Sequence, residues 1–223
     1  AWYPEYDLPD GRTAGRRFYG YNHYFSTADA LPLYGIMRKH RPRRIIEAGS
    51  GFSSGAMLEI NDRYLDGQAA FTFIEPDPDR LNECITPADR QRCRFIPRPV
   101  QEVPFSAFEA LEANDILFID SSHVGKIGSD VNYLLFNVLP RLKSGVIIHV
   151  HDINWPFEYP KAFYDSGRAW NEVHLLRAFL MYNSAFRIEF WGGYAAHRFP
   201  DFIRQNLPRF AAQVPASIWL RRN

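Results

Sequence analysis

The chain has 223 residues, 46% of them hydrophobic and 23% charged, and 26 lysines and arginines face 25 aspartates and glutamates for a formal net charge of +1. That length suits one α/β domain with its own core, and the balanced charge argues against a nucleic-acid or membrane-surface binder. Two cysteines, Cys84 and Cys93, are too few and too close for a disulfide framework or a zinc cluster, no apolar run approaches a bilayer span, and "AWYPEYDLPDGRTAGRR" lacks a signal peptide's order. A cytoplasmic protein whose partner is a small molecule or another protein is the expectation.

Residues 1–25 read as an N-terminal arm whose "RRFYGYNHYFST" carries Tyr21, His23 and Phe25, and residues 26–223 read as a single domain. "STADALPLYGIMRKH" offers Ser26 or Thr27 as a cap and an apolar stripe at Leu31, Tyr34 and Met37, so it predicts a helix. Five apolar runs follow: "RRIIEAG" (43–49), "AAFTFIEP" (69–76), "CRFIPRPV" (93–100), "DILFIDSS" (115–122) and "GVIIHVHD" (145–152). Their near-continuous Ile, Val and Phe content predicts strands covered on both faces, as in a parallel sheet. Between them "SSGAMLEINDRYL", "DPDRLNECI", "PFSAFEALE" and "DVNYLLFNVLPRL" read as helices, and right-handed crossovers wind such an alternation into an open sheet with helices on both sides. "RAWNEVHLLRAFLMYN" predicts a further helix, "FRIEFWGGY" and "ASIWLRR" two closing strands, and residues 194–215 an aromatic, proline-punctuated insertion between them.

"EAGSGFSSG" (47–55) leaves the first strand and opens a helix, where doubly wound folds bind a cofactor. Gly49 and Gly51 allow a tight turn, and Glu75, ending the next strand, can accept both hydroxyls of a ribose. A dinucleotide fingerprint wants a small residue, usually glycine, where Ser54 stands, which disfavours an NAD-linked oxidoreductase. The order Glu47-x-Gly49-x-Gly51 instead resembles class I S-adenosylmethionine-dependent methyltransferases, and residues 26–222 can be laid on that family's Rossmann-like, doubly wound seven-stranded sheet, mostly parallel with an antiparallel last strand. "LFIDSSH", "DVNYLLFNVLPRLKSGVIIHVHDI" and "EAGSGFSS" resemble the branch of catechol-type and macrolide-sugar O-methyltransferases and cephalosporin-hydroxylase-like proteins. The resemblance implies S-adenosylmethionine as cofactor, Glu47 near its amino acid part, Glu75 at its ribose, and Gly49, Ser50, Gly51, Ser53, Ser54, Gln101 and Asp120 also as cofactor-binding residues.

Asp120 and Asp152 end the fourth and fifth strands and so meet at the carboxyl edge of the sheet, where two carboxylates repel unless a cation or proton lies between them. In the catechol-type enzymes a magnesium-like ion is held by an acid after the fourth strand and an Asp-Asn pair after the fifth; here Ile153 separates Asp152 from Asn154, leaving Asn154, His123 and Asp130 as alternative third ligands. An alcohol is a poor nucleophile while protonated, so a metal or a base is wanted; His123, three residues beyond Asp120, is the preferred base, and His151 also reaches the edge. Period-two geometry sets His149 and His151 on one strand face, with His149 deeper as a hydrogen-bonded core residue; a His149–His151–Asp152 iron site is disfavoured because adjacent strand residues do not converge on one metal.

The stretch "NWPFEYPKAFYDSGRAWNE" makes residues 153–170 a lid, with Trp155, Tyr159 and Trp170 as candidate walls and Glu172 in "WNE" as a polar contact. The reading is a methyltransferase acting on a hydroxyl of a small molecule such as a sugar or glycosylated natural product. Its rivals are a hydroxylase-like or lyase-like enzyme on the same cofactor pocket and a non-catalytic scaffold subunit. Aromatic-rich arm and insertion leave a homo-oligomer open.

Overall fold

The computed structural model describes residues 2–223. Seven strands, β1 (Arg44–Ala48), β2 (Ala70–Ile74), β3 (Arg94–Ile96), β4 (Ile116–Ile119), β5 (Ile147–Val150), β6 (Phe186–Trp191) and β7 (Ile218–Arg222), form one sheet in the order β3-β2-β1-β4-β5-β7-β6. β1 to β5 pair in parallel, and β7 inserts antiparallel between β5 and β6.

The apolar runs are continuous because both faces are covered. Ile45, Phe71, Phe73, Ile116, Phe118, Ile147 and Trp219 pack on one side, and Ile46, Ile74, Leu117, Ile119, Ile148, Val150 and Leu220 on the other. The first side is closed by α1 (Thr27–His40) and α2 (Phe52–Tyr64), which follows β1. β2 leads to α3 (Asp79–Cys84) and α4 (Pro87–Arg92), the latter opened by a Thr86–Asp89 capping box with Pro87 at its first position.

Three expected elements differ. Residues 104–112 form only a short 3-10 turn, Phe105–Ala107, because buried Phe108 and Leu111 lie three apart, a spacing that a tighter turn satisfies as well as an α-helix. The helix expected over 130–142 runs as α5 (Asp130–Tyr133), then a π turn (Leu134–Val138), then a 3-10 turn (Leu139–Arg141) in which Pro140 supplies no N–H. β6 stops at Trp191, and Gly192 already opens a helix.

Beyond β5 come α6 (Lys161–Asp165) and α7 (Glu172–Leu180), and residues 192–211 hold α8 (Gly192–Arg198), α9 (Pro200–Asn206) and α10 (Pro208–Ala211). Among the described residues no helix is long and apolar enough to cross a membrane.

The arm is stapled to this frame by ions. Glu59 on α2 pairs with Arg16 and accepts the Arg17 backbone N–H at 3.1 Å, and Arg17 reaches Asp89 at 2.8 Å. Burial alone would raise the Asp89 carboxyl, but hydrogen bonds from Arg17, Thr86 and Arg92 outweigh it and hold the group well below the usual carboxylate range. A depressed folded-state value contributes stability that is fully present above the ordinary aspartate value of about 4 and lost as pH falls below it. Asp89→Asn should therefore cost about 2–3 kcal/mol at pH 7 in urea denaturation, less than a wholly buried pair because its arginines are partly solvated, and the difference from the parent should shrink below about pH 4. An unchanged midpoint at pH 7 would show that the arm is held by other contacts.

Candidate active site

The carboxyl ends of β1, β2, β4 and β5 meet along one edge. At β1, Gly49 adopts φ +83° and lies so close to β4 that a Cβ there would fall 1.6 Å from the Asp120 carbonyl oxygen. Only glycine fits. Glu47 is fully buried beneath this loop, its two oxygens taken by the hydroxyls of Ser53 (2.5 Å) and Ser54. Burial pushes its carboxyl up to about 8 against those hydrogen bonds, which favours the neutral acid, and it shapes the loop from below. Ser54 also accepts the Gly51 N–H at 2.9 Å, which closes the start of α2.

Glu75, half-buried at the end of β2, accepts the Ser50 N–H at 2.8 Å and the Asp77 N–H at 2.9 Å. Each carboxylate oxygen keeps a further lone pair for a ligand hydroxyl. Gln101 is exposed on the turn Val100–Glu102.

Over the glycine loop lies a cover that the sequence did not disclose. The Tyr24 ring stacks on Phe52 (5.9 Å, 10° between planes), and the Arg80 guanidinium sits 3.7 Å from the Tyr24 centroid while its stem lies against Gly51. Of the arm residues singled out from sequence, Phe25 is buried in the core and Tyr21 is exposed; it is Tyr24 that reaches the loop. No sequence signal distinguished Arg80 from other helix charges.

At β4 and β5, Asp120, His123 and Asp152 come together, each offering one atom within 4.8 Å of the others. His123 Nε2 lies 3.5 Å from both aspartates, and its Nδ1 pairs with buried Glu172 at 2.9 Å. Burial opposes charge on His123, but Asp120 and Glu172 overcome it and raise the imidazole well above its usual range. That shift favours the protonated ring, which cannot accept a proton, so the general-base role needs Nε2 emptied first. Glu172, which sequence treated as a mere polar contact, is the group that orients it, and the His123 carbonyl accepts the N–H groups of Asn171 and Glu172 at the start of α7. Trp170 packs on His123 with ring centres 4.2 Å apart.

His123 (φ 60°) and Asp152 (φ 54°) both hold left-handed backbone conformations without being glycine. Such strain persists where the surroundings over-determine it, commonly at sites. Asp130 does not join the cluster: it accepts the Ser122 N–H at 2.8 Å and the Ser122 hydroxyl at 2.6 Å, fixing the loop.

His149 and His151 share a face, with rings 5.6 Å apart. His149 is a core residue stacked on Phe118 at 3.8 Å, but not a hydrogen-bonded one: both ring nitrogens lack partners among the described residues, and burial drives its value well below the usual one, keeping it neutral. His151 Nε2 contacts the Tyr24 carbonyl at 3.0 Å. Burial acts to lower it, yet Asp120, Asp152 and Asp29 bring it up to about 9, so it is charged at neutral pH and fastens the arm to the sheet edge. The His149–His151–Asp152 triad does not assemble; the metal-capable cluster is the one with His123.

Four buried polar atoms at this edge lack partners among the described residues: Ser50 Oγ, Ser121 Oγ, His151 Nδ1 and Asn154 Oδ1. Unpaired buried groups cost about 1–3 kcal/mol each, and their concentration here marks an edge built to receive a ligand.

Parts of this chain resemble known proteins. Residues 46–153 match Methyltransf_24, a methyltransferase domain. An uncharacterized protein of Archaeoglobus fulgidus is 37% identical over 100 residues, 44% of this chain and 44% of its own, so the match spans less than half of that relative. The O-methyltransferase TomG from Streptomyces achromogenes, involved in tomaymycin synthesis and solved with SAM, is 14% identical with a TM-score of 0.54 over 89% of this chain and 81% of its own. A Mg-SAM structure of cmcI is 14% identical with a TM-score of 0.53 over 96% of this chain and 81% of its own. At such identities the structural likeness is one of fold.

Proposed function

We propose that this chain, whose residues 46–153 match a methyltransferase domain and whose sheet has the order described above, transfers the methyl group of S-adenosylmethionine to a hydroxyl of a small molecule such as a sugar or glycosylated natural product. The observation that carries this reading is the cluster of Asp120, His123 and Asp152 on the strand edge that also holds the Gly49 turn and Glu75. Bound here, the cofactor supplies an electrophilic methyl on a sulfonium, and the acceptor oxygen must meet it in line and without its proton.

The chain's own residues divide that work. Gly49 keeps the loop low enough for close approach, and Glu75 receives the ribose hydroxyls. Tyr24, Phe52 and Arg80 cover the loop, and residues 153–170 with Trp170 close the acceptor side against water. Asp120, His123 and Asp152 would hold a divalent cation, which when bound lowers the acceptor hydroxyl's pKa.

The donor set fits a cation. Two carboxylates converge, and a histidine whose second nitrogen is held by a buried carboxylate is the usual arrangement of a metal-ligating imidazole. One nitrogen among oxygens suits a manganese- or zinc-like ion better than magnesium, which prefers oxygen alone. Asn154 lies two residues past Asp152 with its Oδ1 unpartnered and is a fourth donor in this proposal.

Calorimetric titration with S-adenosylmethionine and S-adenosylhomocysteine, on metal-stripped protein and again with magnesium or manganese, tests the reading. Saturable binding of both to the stripped protein is expected, and titration of the ions themselves should show manganese binding more tightly than magnesium. Folded protein that binds neither would sink it, and binding without S-adenosylhomocysteine formation from any hydroxylated acceptor would favour a non-methylating enzyme on the same pocket.

A further inference from the structure

A cavity of about 870 Å³ lies away from the acid cluster, between α1, β6 and the helices α8 to α10, walled by Leu31, Gly35, Phe190, Trp191 and Phe210. Its size falls within the ~300–1,000 Å³ of small-molecule sites. Tyr194, Phe199 and Phe202 stand at its rim 41%, 51% and 61% exposed, an apolar mouth that a lone domain gains nothing by presenting to water.

The wall itself keeps the space open. Gly35 sits inside α1, where glycine is destabilising relative to alanine, and a Cβ built there meets nothing within 4 Å. Packing therefore does not require this glycine. Gly55 on α2 is the contrast, since its Cβ would lie 2.9 Å from the Arg17 carbonyl oxygen. Pro32, another poor helix residue, also lines the cavity.

Two connections join the cavity to the reactive edge. Trp155 lines it and follows Asp152 by three residues. On α1, Asp29 accepts the Ala216 N–H at 3.0 Å, and the Ala216 carbonyl accepts the Ile153 N–H at 2.8 Å, so the first turn of α1 is fastened to the segment directly after Asp152. At the other extreme Lys39 is paired with Glu189 at 2.8 Å, leaving that charge already answered. The site thus offers aromatic and aliphatic surface without a free charge.

We propose that this cavity holds the uncharged hydrocarbon body of the acceptor, an amphiphile whose hydroxylated head extends past Trp155 to Asp120, His123 and Asp152. The role given to the head rests on the methyltransferase reading; the binding of the body does not.

The test uses n-decyl β-D-glucoside below its micelle concentration, with glucose as control, followed by calorimetry and by the fluorescence of the cavity tryptophans. Saturable binding of one decyl glucoside per chain is expected, with glucose at least tenfold weaker. Gly35→Phe, at a position where an added Cβ meets nothing within 4 Å, should occupy the space and weaken decyl glucoside at least tenfold, while thermal stability and S-adenosylmethionine binding stay at parent levels. Phe199→Asp, at the exposed rim, should weaken it in the same direction. Absence of saturable binding by the parent, or equal affinity in both variants, would overturn the proposal. So would sedimentation showing that Gly35→Phe splits a dimer, which would assign the cavity to a second copy of the chain. Failure of S-adenosylmethionine binding with decyl glucoside binding intact would instead count against the methyltransferase reading alone.

Discussion

Asp152→Asn should reduce the rate of S-adenosylhomocysteine formation roughly 100-fold or more while leaving S-adenosylmethionine affinity within a few-fold of the parent. The substitution keeps the size of the side chain and removes its charge. In the parent, Asp152 Oδ2 lies 3.5 Å from His123 Nε2 and Oδ1 lies 3.9 Å from His151 Nε2, so one carboxylate faces both imidazoles. Removing it leaves Asp120 as the only aspartate of the cluster and takes one anionic donor from any cation there. The proposed ribose and glycine-loop contacts of the cofactor follow β1 and β2, so its affinity should change little. Initial rates with and without manganese, alongside calorimetry, separate the two effects. A variant with parental turnover would show that Asp152 only balances the charge of His151.

The sheet was legible in sequence because its strands are buried on both faces, and runs such as "ILFI" and "IIHV" have no polar alternation to confuse with a helix. The glycine loop and the two aspartates were legible for a related reason: strand ends are fixed by the runs that precede them. What lay hidden depends on long-range packing. Glu172 stands 49 residues from His123 and meets it only because α7 packs its start onto the loop after β4. Tyr24 and Arg80 are 56 residues apart and stack through the fold of the arm. The apolar cavity was not legible because it forms only where α1 and β6 meet the helices α8 to α10, elements far apart in the chain. His149 marks the limit from the other side. Its position in the core followed from strand period, but the absence of any hydrogen-bond partner did not, since that depends on Phe118 and Trp219 enclosing its ring.

Gly49 and Gly51 look equivalent in "EAGSG", yet their replacement by alanine should have very different outcomes. Gly49 holds φ +83°, and its added Cβ would overlap the backbone of Asp120, 1.6 Å from the carbonyl oxygen and 2.6 Å from the carbonyl carbon. Neither side can yield: the Gly49 N–H is bonded to the Ile74 carbonyl at 3.0 Å and the Asp120 N–H to the Ala48 carbonyl at 2.9 Å, so parting them opens β1 from its neighbours. Strain and overlap together should cost at least about 4 kcal/mol, a fall of roughly 8–16 °C in Tm for a chain of this size. At Gly51 the backbone is extended, with φ 175°, and the added Cβ meets the Arg80 side chain at 2.8 Å. A flexible stem can move aside, so Gly51→Ala should cost about 1 kcal/mol, chiefly through a poorer helix N-cap, or roughly 2–4 °C. It should also loosen Arg80 from Tyr24 and so alter cofactor affinity without loss of fold. Thermal melts of the two variants side by side decide the matter: equal, small shifts would mean that β1 and β4 do not hold the close approach on which the glycine loop depends.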